Sequence, residues 1–166
     1  MPADKPANEG YTPDPNLIAE VAAFETEFVN QFNFPDGVVY DKQMSDHVLS
    51  FYAKGADMRF FDFMTPLEWS GDELEQHFKD IMANYSGQIE LLDMKIHAAS
   101  DLAAVTSIQR MTGIGPKREP YTLVLRVTDI LVRKDGSWKF VHQHVSIPVD
   151  WATGVADFQA TRKNVT

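Results

Sequence analysis

EPYTLVLRVTDILVRKDGSWKFVHQHVS, residues 119–146, is two apolar runs joined by Asp135-Gly136. Val, Ile, Leu, Tyr and Thr dominate them, and Asp-Gly between such runs is a β-hairpin signal. Upstream, QIELLDMKIHAA (88–99) and LAAVTSIQRMTGIG (102–115) have the same character. Ser100-Asp101 and Gly115-Pro116-Lys117-Arg118 separate these runs. Four long strands in succession with short connections predict an antiparallel sheet.

The first half has a different period. Asp14 or Asn16 can cap a helix running to about Phe32, with Pro15 in its first turn. Leu17, Val21, Phe24, Phe28 and Phe32 recur at spacings of three and four, which predicts one buried face. Phe34-Pro35-Asp36-Gly37 breaks the chain. Asp46 begins a second helix, DHVLSFYAKG, closed by Gly55, and MRFFDF (58–63) reads as a short strand. TPLEWSG (65–71) reads as a loop, and DELEQHFKDIMANY (72–85) as a third helix. His47 and His77 are expected on exposed helix positions. Helices first and strands after predict an α+β domain, with three helices packed on one face of a curved, mostly antiparallel sheet.

Length and composition bound the function. The chain has 166 residues, enough for one domain with a sizeable core. Its net charge of -9 opposes phosphate-backbone binding, so no nucleic-acid partner is expected. It has no cysteine, which removes disulfides, thiolate catalysis and thiolate-bound zinc, and fits a cytoplasmic location. No run of about 18 apolar residues occurs, so no membrane span is expected. Residues 1–13 are polar and proline-rich and read as a flexible arm, not a secretory signal. Residues 14–158 form the expected domain and 159–166 a C-terminal tail.

Three stretches carry a resemblance. DHVLSFYAKGADMRFFD (46–62), VTDILVRKDG (127–136) and RKDGSWKFVHQHVS (133–146), in this order of helices and strands, resemble the nuclear transport factor 2-like superfamily. The resemblance extends over nearly the whole chain from residue 15 and is nearest to the SnoaL-like and ketosteroid isomerase-like branch. It implies a cone-shaped α+β barrel with an internal pocket between helices and sheet, in a homodimer. The last stretch also resembles the association domain of calcium/calmodulin-dependent protein kinase, a non-catalytic oligomerisation module.

The isomerase resemblance places Asp62 at the general-base position and Asp129 where that family keeps a protonated aspartate that donates to an enolate. The tyrosine which that family carries on its first helix is absent; Phe24 and Phe28 stand there. The loop after the base also departs, reading DFMTP. A carboxylate among Phe60, Phe61 and Phe63 suits acid/base work. Asp129 interrupts LVLRVTDILV, and burying it unpaired would cost about 2–7 kcal/mol. Arg110 matches a pocket arginine of the association domain and would suit a carboxylate or phosphate ligand. That module has a second pocket arginine where this chain has Asp129, which reverses a charge. Tyr52 and Trp69 are further candidates for lining the pocket.

His142 and His144 depend on the hairpin register. Alternation along a strand puts Trp138, Phe140, His142, His144 and Ser146 on one face and Val141, Gln143, Val145 and Ile147 on the other. A two-residue type I′ turn at Asp135-Gly136 pairs Lys134 with Ser137 and sets Asp129 opposite His142. A three-residue turn sets Thr128 opposite His142 and Arg126 opposite His144. In the isomerases the matching aspartate shares its cavity with residues at the positions of Val141 and Val145, which favours the second register. The ligand-binding face is then Val127, Asp129, Val141, Gln143 and Val145. The histidines become a structural layer with Thr128 and Arg126. Lacking a third ligand, they are not expected to hold a metal. Trp138, Phe140, Ile130 and Val132 then form an outer apolar patch for a homodimer. The expected partner is a small hydrophobic or carbonyl-containing molecule, with no cofactor. The expected activity is isomerase-, cyclase- or dehydratase-type proton transfer beside a carbonyl, without a metal. The alternative is a non-catalytic binding or oligomerisation module.

Overall fold

The structure is a computed structural model that describes residues 12–64 and 68–159. Among the described residues are three α-helices: α1 (Pro15–Gln31), α2 (Lys42–Leu49) and α3 (Leu74–Asn84). Six strands follow or interleave them: β1 (Arg59–Phe61), β2 (Glu68–Ser70), β3 (Ser86–Ala98), β4 (Leu102–Ile114), β5 (Pro120–Lys134) and β6 (Ser137–Ser146). They form one sheet in the order β2-β1-β6-β5-β4-β3, antiparallel except for the β1–β6 pair. Nearly all of the expected 1–13 arm and 159–166 tail lies outside the described residues. No helix among the described residues is long and apolar enough to cross a membrane.

The helices start where their caps allow. The Asp14 carboxylate accepts from the N–H of Asn16 and Leu17, and Pro15 occupies the first turn without losing a bond. The second helix begins earlier than Asp46, because Asp41 caps it by accepting from Met44 N–H at 2.9 Å. Within the stretch expected as a loop, Glu68–Ser70 is a strand, paired antiparallel with Arg59–Phe61. Three residues are too few for a periodic signal; the sheet edge beside them supplies the pairing.

The core lies between α1 and the concave face of the sheet. Phe24, Phe28, Phe51 and Phe140 meet edge-on or tilted at centroid distances of 4.7–5.5 Å. Tyr52 and Phe78 extend the cluster. Edge-to-face rings are favoured by their quadrupoles, and ring area dominates the burial here.

The hairpin combines both turn hypotheses in a way neither contained. Asp135 (φ 51°) and Gly136 (φ 80°) form a two-residue turn with Lys134 opposite Ser137. The register then slips between Ile130 and Leu131, leaving Val141 unpaired as a bulge. Leu131 pairs with Phe140, but Ile130 pairs with His142 and Asp129 with Gln143. The slip corrects two expectations. Thr128 stands opposite His144, not His142, and Arg126 opposite Ser146, not His144. Trp138 and Phe140 point into the core, 4% and 0% exposed, so they cannot belong to an outer apolar patch. A strict alternation carried from Trp138 to His144 crosses the bulge and so fails.

Candidate functional site

Two buried polar groupings lie on the concave side of the sheet. The first centres on Asp129 in the middle of β5, with no exposed surface. Its Oδ1 accepts from Gln143 Nε2 at 2.9 Å across the β5–β6 pairing. Gln143 Oε1 accepts in turn from the Tyr52 hydroxyl at 2.8 Å. Glu25, on the inward face of α1, is 1% exposed and close enough for the Asp129 charge to act on it. Burial pushes the Asp129 carboxyl up to about 7, against a small opposing pull from the Gln143 hydrogen bond. Burial, then the Asp129 charge, raises Glu25 well above the usual carboxylate range. Tyr52 is raised by burial first and then by the charges of Asp129, Glu25 and Asp62.

The second grouping sits where β1 ends. Asp62 Oδ2 lies 2.9 Å from His77 Nε2 of α3, and the two side chains are 3% and 4% exposed. The imidazole nitrogen is not aligned for a hydrogen bond, and neither atom has another such partner among the described residues. Asp62 Oδ1 accepts from Met64 N–H at 3.2 Å, which fixes the carboxyl plane. Trp69 of β2 stacks on the His77 ring at 4.4 Å, with the planes 22° apart. The unpredicted β2 strand thus holds the indole over the imidazole. His77 is buried, against the expectation of an exposed helix position, because α3 turns Leu74, His77 and Phe78 toward the sheet.

The expected site residues therefore divide. Asp129, Gln143 and Tyr52 form one connected chain, and Trp69 joins Asp62 through His77. Val127 and Val145 pair across β5 and β6 on the same concave face, and Val141, at the bulge, packs against the core. Arg110 stands apart, its side chain 44% exposed and bound to Glu90 at 2.9 Å. His142 and His144 face outward around Phe61 at 5.3 and 5.7 Å, and His142 Nδ1 meets Arg59 O at 3.1 Å. Among the described residues no three His, Cys, Asp or Glu side chains are placed to hold a metal ion.

Four site residues escaped the sequence reading. Glu25 is four residues after Val21 and three before Phe28, so it lies on the apolar stripe of α1, where a charged residue is itself a signal. His77, three residues after Leu74 and four before Ile81, likewise lies on an apolar stripe. Ser107 and Gln109 alternate with Ala103 and Val105 on the concave face of β4, and Gln109 Nε2 donates to Ser107 Oγ at 3.0 Å. A cleft of ≈ 850 Å³ runs between the end of α2, Gly71–Glu75 and the β5–β6 turn, and Tyr52 is the one expected site residue that lines it. Tyr52 thus borders the cleft while its hydroxyl donates inward to Gln143, which leads to Asp129.

Comparison with known proteins agrees with this architecture. The family model described as a SnoaL-like domain matches residues 40–150. A solved structure of an NTF2-like protein of unknown function from Pseudomonas putida KT2440 superposes with a TM-score of 0.71 at 22% identity, over 89% of this chain and 97% of that one. A candidate dehydratase of the NTF2-like family from Streptomyces avermitilis gives 0.68 at 18% identity, over 82% and 100%. A candidate calcium/calmodulin-dependent protein kinase II association domain from Xanthomonas campestris gives 0.59 at 14%, over 86% and 93%. No curated protein matches the sequence. On the family match the chain belongs to the SnoaL-like domain family, and it shares its fold with the NTF2-like proteins above.

Proposed function

We propose that the protein binds a small, neutral, carbonyl-containing hydrophobic molecule and moves a proton on the carbon beside the carbonyl. The supporting observation is the company Asp129 keeps. A carboxyl with no exposed surface, raised to about 7, can stay protonated near neutrality and donate a hydrogen bond to a developing enolate oxygen. The Asp62–His77 pair supplies the base: it accepts the proton as the C–H bond breaks, and the electron pair moves into the enolate. Reprotonation at another carbon gives isomerisation; departure of a β-hydroxyl group as water gives dehydration. Trp69 limits the imidazole to one plane, and Tyr52 with Gln143 orients the Asp129 carboxyl. The ligand would enter by displacing part of the aromatic packing next to the ≈ 850 Å³ cleft. Assembly as a homodimer through the outer sheet face, and the cytoplasmic location that fits a cysteine-free chain, belong to the same proposal.

A second reading has its own support. Each carboxyl grouping already has protein partners, and one similar fold is a candidate association domain. A non-catalytic module would keep such groups for packing. Hydrogen–deuterium exchange at the α-carbon of a panel of cyclic enones, followed by NMR, separates the two. Catalysed exchange that falls about 10²–10⁴-fold in Asp62→Asn supports proton transfer. No exchange above the buffer rate for any member, with no binding of substituted phenols as enolate mimics, leaves the module reading.

A further inference from the structure

Tyr52 joins the cleft to the buried carboxyl. It borders the ≈ 850 Å³ cleft, and its hydroxyl donates to Gln143 Oε1 at 2.8 Å. Gln143 Nε2 donates in turn to Asp129 Oδ1 at 2.9 Å. The backbone around Tyr52 is pinned. Its N–H donates to Leu49 O, Ala53 N–H donates to Phe140 O at 2.9 Å, and Phe140 N–H donates to Phe51 O at 2.9 Å. The ring can therefore leave only by rotating about its side-chain bonds. It packs against Phe28, Phe78 and Phe140 at centroid distances of 5.2–5.6 Å. Turned into the cleft, it leaves a flat apolar slot that ends at Gln143 Oε1. The Asp129 carboxyl lies next to that amide, and its Oδ2 is buried with no hydrogen-bond partner among the described residues.

The Gln143 amide sets what can fill the slot. Its N–H side is committed to Asp129, so the group left behind by Tyr52 is an acceptor. A carbonyl cannot donate to it, and an acceptor left unpaired in a buried place costs affinity. A site built to bind a hydroxyl rejects the analogue that lacks one. We propose that Tyr52 stands in for the ligand: the molecule that binds rotates it into the cleft, places an aromatic ring among Phe28, Phe78 and Phe140, and donates a ring hydroxyl to Gln143 Oε1. The ligand class is an aryl ketone with a ring hydroxyl, and Gln143 is its specificity-determining residue. This rests on the ligand site read above, since the ketone end is the end that meets Asp129. The displaced Tyr52 hydroxyl meets water in the cleft, so the exchange conserves hydrogen bonds. Affinity is then the difference between two hydroxyls competing for one acceptor.

Calorimetric titration of the full chain with meta-hydroxyacetophenone, its methyl ether and acetophenone tests this. Wild type should bind the hydroxyl compound about tenfold more tightly than the other two. Tyr52→Phe removes the competing hydroxyl and should tighten the hydroxyl compound and acetophenone about three- to tenfold. Gln143→Met keeps the side-chain length, removes the acceptor, and should bring the three affinities together. In NMR spectra of the complex, the Tyr52 ring should lose its contacts with Phe140 and the ligand ring should gain them. Equal affinities in wild type overturn the hydroxyl requirement; a protein hydroxyl without a partner, Ser45 or Tyr40, would then serve Gln143 instead. Unchanged or weaker binding in Tyr52→Phe, or a Tyr52 ring still packed on Phe140 in the complex, overturns the displacement. Failure of all three compounds to bind wild type overturns the ligand class. If Gln143→Met does not fold, the wild-type and Tyr52→Phe titrations decide alone. Deuterium exchange at the ketone methyl group is recorded in parallel. Hydroxyl-dependent binding without exchange removes the proton-transfer reading and leaves this site; exchange without a hydroxyl preference removes the role given to Gln143.

Discussion

Asp129 is one of two buried carboxyls, with Glu25, that tie stability to pH. Its folded value is about 7, against 3.8 for the free side chain. Between those values the folded chain binds more protons than the unfolded one. Its contribution is complete below about 4 and is lost as pH rises through 7. Three units correspond to a loss on the order of 4 kcal/mol. Asp129→Asn keeps an oxygen for Gln143 and cannot ionise. Urea denaturation should therefore find the variant more stable than wild type at pH 8 and about equal at pH 4; equal stability at pH 8 would remove Asp129 as the origin. Asp62 and His77 behave differently, since each is the other's buried partner. His77→Phe should cost about 3–5 kcal/mol by leaving a carboxylate alone, and adding Asp62→Leu should recover most of it. An additive double mutant would mean that the 2.9 Å contact carries no coupling.

At the scale of elements, the hairpin explains why part of the site was legible in the sequence and part was not. The Asp135-Gly136 turn and the four strands follow from residue types alone; the placement of Asp129 with Gln143 and Val145 on one face comes from the isomerase resemblance, because residue types leave both registers open. The bulge at Val141 does not, since nothing in FVHQH distinguishes a bulge from a regular strand; the slip comes from fitting Phe140 under the α1 rings and Gln143 against Asp129 at once. Glu25 and His77 were legible in helical periodicity but look like surface charges when read singly. Strand β2 gave no signal at three residues. Deleting Val141 should remove the bulge while preserving every β5–β6 pair, because Phe140 inward and His142 outward are then ordinary alternation. The shortened chain should fold, with a loss of about 1–3 kcal/mol from reduced strand twist and repacking. Amide contacts between Asp129 and Gln143 should persist in NMR spectra. If the deletion instead exchanges inward and outward residues of β6, the bulge is not what sets the faces.

At the scale of the molecule, the proposed homodimer would form through the outer sheet face. With Trp138 and Phe140 turned inward, the apolar surface that remains runs across β4 and β5: Leu102 (50% exposed) beside Val132, and Ala104 beside Ile130. Thr106 and Thr128 pair next to it, and His142 and His144 of β6 continue the row toward the exposed Arg59. An apolar strip with a polar, histidine-bearing rim has the composition of a protein contact rather than of a solvated face. A stable interface of standard size buries about 1,600 Å² in total, which two such faces would have to reach. The net charge of -9 per chain opposes association, so in a dimer the apolar strip would have to outweigh it, and added salt should tighten such a dimer. Multi-angle light scattering at micromolar concentration should give twice the chain mass of 18.8 kDa. Ile130→Asp, which puts a carboxylate in the middle of the strip, should give the monomer mass with the fold intact by circular dichroism. A wild-type monomer, or an Ile130→Asp protein that still runs at the double mass, would place any contact elsewhere on the surface.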